Sequence, residues 1–331
     1  MTVVTYSRNV FLPLSNACRN KCTYCGFRSS EPTLMERREV LSFLEAGRKA
    51  GAKEALFTFG ERPESNEGVR KKLHEWGYGS MTEYLLDLCR DAIKAGLLPH
   101  TNAGALEYDE MKALKEVNAS LGLMLESASE RLCESGMPHE QSPGKKPDVR
   151  LAVIENAGRL EIPFTTGLLI GIGEIPEEMH ASIWKLKEIN EKYGHIQEVI
   201  VQNFKPKVGT PMEGSPEPGQ IEMIDAVRAV RAVLPGVHVQ VPPNLNPTNW
   251  PVFVKEGASD LGGFSQTTHD YINPEAAWPL IDKLKIIAGE NGITLRERLP
   301  IYPEFIKRGW YGGETGELIE KYANKEGLVN E

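Results

Sequence analysis

Three of the five cysteines in this chain, Cys18, Cys22 and Cys25, fall within eight residues. Thiols gathered so closely suggest a metal site. Three thiolates would fill three positions of a metal centre and leave another open, as a catalytic metal requires. Two other readings use the same residues. On a helix, positions i, i+4 and i+7 would form one small apolar stripe. However, Asn16, Arg19, Asn20 and Lys21 are polar, Pro13 lies upstream and Gly26 follows, so little here propagates a helix. A tetrahedral zinc needs a fourth ligand, and no further His or Cys is close in sequence.

The elements that must position this loop alternate in type. Short runs rich in Val, Ile, Leu, Phe and Thr are followed by amphipathic segments of helical length, the pattern of βα units around a parallel sheet. Strand one is expected at Val10–Leu14 and delivers the cysteine loop. Its helix is expected at Met35–Ala50, with Val40, Leu41, Phe43 and Leu44 facing inward. Further strands are expected at 55–59, 97–102, 120–126, 164–172, 198–203, 238–241 and 260–264. Between the second strand and the helix at 81–95, residues 60–79 read as a polar loop. The last helix of the repeat is expected at Pro274–Ala288. Eight such units imply an α/β fold, a single TIM-like (β/α)8 barrel over residues 1–291, with 292–331 as a C-terminal extension packed on it. A six-unit partial barrel with a separate C-terminal piece is the alternative.

Composition sets further limits. A formal net charge of -8 argues against a nucleic-acid surface. The strongly apolar run Ile162–Gly173 contains Pro163 and two threonines and is too short to cross a bilayer. Residues 1–15 lack the basic and apolar regions of a secretion signal, so a cytoplasmic setting without membrane attachment is expected. Five cysteines with three clustered make no disulfide framework, and Cys89 and Cys133 are expected to be structural.

The Cys-x3-Cys-x2-Cys spacing, with Tyr24 before the last cysteine, resembles the loop that holds a 4Fe-4S cluster in the radical S-adenosylmethionine (SAM) superfamily. The resemblance implies an open iron that takes the amino and carboxylate groups of SAM. It also implies an electron that splits SAM into methionine and a 5'-deoxyadenosyl radical. Gly60 and Glu61, at the end of strand two, resemble a Gly-Gly-Glu segment with Phe59 in place of the first glycine; backbone and carboxylate would hold the SAM ammonium. Glu126, at the end of strand four, would contact the SAM ribose or ammonium, or else form a buried salt bridge. Arg150 would pair with the SAM carboxylate, or else lie on a helix surface. Gly167–Glu174 resembles a G-x-I-x-G-x-x-E segment with Leu169 in place of Ile. There Gly171 would let the backbone approach the adenosyl group, and Glu174 would fix the loop. Tyr24 and Phe204 could pack against adenine. A zinc site requires none of these downstream features.

Several stretches are similar to one family, the radical SAM subunit, G type, of 7,8-didemethyl-8-hydroxy-5-deazariboflavin (FO) synthase. They are Cys18–Arg28, Phe57–Glu64, Leu98–Gly104, Ile162–Glu174, Gln197–Phe204 and Asp260–Ser265. The resemblance implies a substrate formed from a tyrosine-derived hydroxybenzyl group and 5-amino-6-ribitylamino-uracil, made by a sister radical SAM subunit. Hydrogen abstraction from that adduct would lead to ring closure with loss of ammonia and a further oxidation. A ferredoxin- or flavodoxin-type donor would reduce the cluster. Thr58, Asn102, Gln202, Asn203, Gln240, Asn244 and Ser265 are expected near the catalytic rim as substrate contacts. His100 is the candidate acid/base, since imidazole exchanges protons near neutral pH, unless it only orients a neighbour. The alternatives are the tyrosine-using sister enzyme, a menaquinone-pathway relative, or a non-catalytic iron-sulfur or zinc protein.

Overall fold

The computed structural model describes residues 2–330. Eight parallel strands close into a barrel with helices outside. In chain order the elements are β1 (Thr2–Ser15), α1 (Arg37–Lys49), β2 (Glu54–Phe59), α2 (Glu67–Glu75), α3 (Met81–Lys94), β3 (Leu98–Asn102), α4 (Tyr108–Lys115) and β4 (Ser120–Gly122). They continue with α5 (Pro147–Arg159), β5 (Phe164–Ile170), α6 (Pro176–Tyr193), β6 (Ile196–Asn203), α7 (Gln220–Val233), β7 (His238–Gln240), α8 (Trp250–Lys255) and β8 (Asp260–Ser265). The chain finishes with α9 (Ile281–Glu290), β9 (Ile293–Glu297), α10 (Pro303–Arg308) and α11 (Gly316–Tyr322). Strands β2 to β8 pair in sequence, and β1 closes the ring by pairing with both β8 and β2. No helix among the described residues is long and apolar enough to cross a membrane.

Local sequence explains the alternation. All seven residues of β5 are buried, as a strand covered on both faces requires. Ser80 caps α3 by accepting the Glu83 N–H, and Gly51 and Gly96 take positive φ where the chain leaves α1 and α3 for the next strand. The main core lies between strands and helices, where Leu12, Leu44, Phe57, Leu85, Ile183 and Val230 are fully buried.

Several details differ from expectation. Residues 60–79 contain α2, started by Asn66, which accepts the Val69 N–H, and anchored by buried Val69 and Leu73. On α1 the inward residues are Val40, Leu44 and Gly47, while Leu41 is 44% exposed. Gly47 sits so near β1 that a Cβ would stand 2.6 Å from Val10 Cβ, which sets the helix's rotation. β4 stops at Gly122 because the chain bulges before Glu126, which takes φ 66 and bridges back to Leu168 of β5. The helix expected from Pro274 begins at Ile281, because Asp270 accepts the N–H groups of Ile272 and Asn273 and holds the segment before it as a loop.

Beyond residue 291, β9 pairs in parallel with Thr2–Tyr6 at the start of β1. Arg298 then enters the barrel from its amino-terminal end. Its guanidinium donates to Asp260 (2.6 and 2.9 Å) and to Glu198 (2.9 Å), and Pro300 O accepts from Ser120 and Gln197. These partners lie at the starts of their strands, so this segment forms the barrel floor. The opposite, carboxyl end of the strands stays open.

Candidate active site

The loop after β1 crosses that open end. Asn20 is buried and its Oδ1 accepts the Gly144 N–H at 2.8 Å; Lys21 and Thr23 N–H groups donate to Gln141 O and Pro138 O, and Arg19 N–H donates to Glu61 O. The loops after β2 and β4 therefore fix the cysteine loop from both sides. Cys18, Cys22 and Cys25 are free, half-buried thiols lining one cavity of about 340 Å³. Glu61 N–H donates to Cys18 Sγ at 3.2 Å, and Ser142 Oγ donates to Cys22 Sγ at 3.3 Å. Burial pushes both thiols up, countered at Cys18 by backbone N–H groups and at Cys22 by the Lys145 charge. Hydrogen bonds to sulfur are what a thiolate-bound iron-sulfur cluster uses to tune itself, so these residues fit such a group.

Glu61 is buried beside the cysteines. Arg19 Nε donates to its Oε1 at 2.7 Å, Ala105 N–H to its Oε2 at 2.9 Å, and Arg150 stands 3.9 Å away. Burial alone would raise this carboxyl, but Arg150, the Ala105 N–H and Arg19 together hold it below the usual carboxylate range. Arg150 is buried rather than on a helix surface. Its Nε and Nη1 donate to Gly144 O (2.9 Å) and Met124 O (2.6 Å), and it lines the cavity.

Glu126 is the second buried carboxylate. Lys145 Nζ, Tyr24 Oη and His139 Nε2 surround it, with His139 at 3.3 Å. Burial opposes its ionisation, yet Lys145, His139 and Arg150 hold it well below its ordinary value. Tyr24, Gly60, Phe204, Thr58, Asn102, Gln202 and Asn203 line the same cavity.

Strand alternation places residues below it. Asn9 and Phe11 of β1, Glu54 and Leu56 of β2, His100 and Asn102 of β3, and Glu198, Ile200 and Gln202 of β6 face inward at every second position. They surround a lower chamber of about 180 Å³ that shares Asn102, Gln202 and Phe11 with the upper cavity. Gln240 and Asn244 also line it. His100 is buried there, with Nδ1 2.6 Å from Ser120 Oγ. Gly171 and Glu174 line neither space: Glu174 accepts the Gly171 and Ile172 N–H groups and holds that turn, where Gly171 has φ 95. Ser265 lines neither as well, its Oγ being bonded to Thr268.

With this geometry in view, residues 12–183 match the family model described as Radical SAM superfamily. The chain is 54% identical over 332 aligned residues to 7,8-didemethyl-8-hydroxy-5-deazariboflavin synthase of Archaeoglobus fulgidus, covering 99% of each chain. The chain belongs to the radical SAM FO synthase family. The similarly named protein of Methanopyrus kandleri is 49% identical, covering 99% of this chain and 100% of that one. In fold, this family member is similar to the FeFe-hydrogenase maturase HydG from Carboxydothermus hydrogenoformans, with a TM-score of 0.71 at 19% identity over 97% of this chain and 78% of that one. It is likewise similar to methylornithine synthase PylB, with a TM-score of 0.68 at 18% identity over 88% and 83%. The radical SAM superfamily uses a 4Fe-4S cluster and SAM, and the chain is an enzyme of that kind.

Some residues around this radical SAM site escaped sequence reading. His139 and Lys145 lie in the long loop after β4, whose prolines carry no periodic signal; only the need of a buried Glu126 for partners pointed to them. Arg19 was legible as a polar neighbour of the cysteines but not as the partner of Glu61. Lys207 and Asn273, joined at 2.7 Å, line the upper cavity from irregular loops.

Proposed function

We propose that this chain carries out the ring-closing step of deazaflavin formation, acting on the hydroxybenzyl adduct of 5-amino-6-ribitylamino-uracil and releasing ammonia. The observation that carries this reading is a pair of adjoining cavities that share lining residues. They have three free thiols and two partnered carboxylates at the mouth and a polar chamber below. The near full-length likeness to proteins named FO synthase supports it.

When bound, the cluster supplies the electron that splits SAM into methionine and the 5'-deoxyadenosyl radical that takes hydrogen from the adduct. Cys18, Cys22 and Cys25 hold the cluster. Gly60 and Glu61 take the SAM ammonium, Arg150 its carboxylate and Glu126 its ribose, while Tyr24 and Phe204 flank adenine. Each charged member already has a fixed partner, so the cradle needs little reorganisation when SAM arrives. Gly171 and Glu174 shape the neighbouring turn. Thr58, Asn102, Gln202, Asn203, Gln240 and Asn244 contact the adduct.

In this reading His100 is a neutral hydrogen-bonding group of the chamber rather than a proton carrier. Burial, with the Arg298 charge and against a side-chain hydrogen bond with Asn102, brings its imidazolium down to about 3, so it is neutral at physiological pH and too weak a base to hold a proton there. Ser120 Oγ and Asn102 both bond the ring and fix its orientation. The sister subunit supplies the adduct, a ferredoxin- or flavodoxin-type protein supplies the electron, and the setting is cytoplasmic.

The deciding experiment is anaerobic incubation of the reduced, cluster-loaded protein with SAM and either tyrosine or the preformed adduct. Fluorescent deazaflavin should form from the adduct alone. Product from tyrosine with free ribitylamino-uracil, or none from the adduct, would remove the assignment. Unaltered turnover in His100→Gln would remove the role of His100 only.

A further inference from the structure

Buried polar atoms are nearly always hydrogen-bonded, and one left alone costs ~1–3 kcal/mol. Three side chains lining the lower chamber break that rule. Asn9 is 2% exposed and has no partner for either Nδ2 or Oδ1; Asn244 has none for Oδ1, and Trp278 none for Nε1. Asn244 is oriented by its Nδ2, which donates to Asp270 at 3.0 Å, so its bare oxygen is a true acceptor.

The charges nearby already have polar partners. Arg298 holds Asp260 and Glu198, Ser7 donates to Glu54, and Asp270 accepts from Asn244, Ile272 and Asn273. An anionic ligand group would find no free counter-charge, because two carboxylates already share Arg298. A neutral group with interleaved donors and acceptors would find donors on Asn9 Nδ2 and Trp278 Nε1, and acceptors on Asn9 Oδ1 and Asn244 Oδ1.

From this pattern we infer that the lower chamber binds a neutral ring imide bearing a hydroxylated chain, with Asn9 as its specificity-determining residue. Resting on the function proposed above, that group is the ribityl-pyrimidinedione end of the adduct. A hydroxyphenyl ring offers a single hydroxyl and would leave most of these atoms bare. It therefore belongs in the upper cavity, among Phe59, Leu123, Met124 and Leu169. The carbon joining the two ends then lies at the level of Asn102 and Gln202, which line both spaces.

The test is calorimetric titration of the full-length, cluster-loaded protein with 5-amino-6-ribitylamino-uracil, and with 4-hydroxybenzyl alcohol as control. Asn9→Leu should weaken binding of the uracil by roughly tenfold or more, because a site built for hydrogen bonds rejects what cannot form them. The same variant, without ligand, should melt no lower than the parent, since it removes an unpartnered amide. Trp278→Phe keeps an aromatic side chain, though a smaller one, loses the N–H, and should weaken the uracil severalfold. Binding of the alcohol should not change in either variant. Parental affinity for the uracil in both variants would overturn the chamber assignment, even if deazaflavin forms. Loss of binding in the variants would support it, even if the adduct gives no deazaflavin and the reaction reading falls.

Discussion

A Cβ added to Gly144 would stand 1.6 Å from Glu61 Oε1. The carboxylate has no room to retreat, because a Cβ on Gly104, from the loop after β3, would lie 2.5 Å from Glu61 Cγ. Two glycines from different loops thus shape the slot in which Glu61 meets Arg19 and the Ala105 N–H.

Gly144→Ala should therefore push Glu61 out of register. We expect a stability loss of ~1–3 kcal/mol from overpacking, with 5'-deoxyadenosine formation reduced at least about tenfold, in line with the loss of one preorganised contact. Iron content should stay near the parental value, since no cysteine moves. Parental SAM cleavage in a folded variant would show that the Glu61 position is not critical.

Replacing Cys18, Cys22 or Cys25 singly by Ala should abolish iron retention after anaerobic reconstitution while leaving the far-ultraviolet circular dichroism unchanged. These thiols are half-buried at a loop and contribute little to the core. Cys133→Ala is the control and should retain iron. Iron retained in all three loop variants would dismiss the cluster assignment.

Glu54 makes a pH prediction with a definite sign. Burial raises its carboxyl to about 7, against the help of the Ser7 hydroxyl and the Arg298 charge. An unfolded Glu titrates near ~4.3. Between these values the folded chain keeps a proton that the unfolded chain has released, so this group's contribution to stability falls as pH rises through that window. Glu54→Gln should remove that fall. Its stability relative to the parent should improve from pH 5 to pH 8, by at most ~3 kcal/mol. Urea titrations across that range check it, and a constant difference would rule out the assignment.

Arg298→Met should strip the counter-charge from buried Asp260 and Glu198 together. Breaking a buried pair from one side typically costs ~3–5 kcal/mol. The urea midpoint should drop accordingly. Arg298→Lys, which keeps the charge but not the fork, should recover only part of it.

Much of the barrel was legible because its signals are local. Apolar strand runs, the Ser80 cap and the glycines after helices each act within a few residues. What escaped has a tertiary cause. The strand expected over 120–126 is interrupted by a bulge before Glu126, which rejoins β5 while its carboxylate meets Lys145 and His139 from a loop with no periodic pattern. Asn9 was missed for a simpler reason. Strand one was expected to start at Val10, whereas pairing with β8 and β9 extends it back to Thr2. With the longer strand, inward alternation would have pointed to Asn9. At the site, the cysteines, Glu61 and Arg150 were readable from spacing and resemblance. Ser265 looked suitable by position, but Thr268 engages its hydroxyl, and only coordinates reveal such a bond.

The pairing of β9 with the first residues of β1 also bears on the order in which the molecule can be assembled during synthesis. Glu198 and Asp260 leave the ribosome before Arg298, and the first residues of β1 receive their outer neighbour from nearly three hundred residues later. The floor of the nascent barrel stays unsealed until Arg298 has emerged. A message cut short after the last canonical βα unit would yield a chain that resembles most of this enzyme yet lacks its keystone.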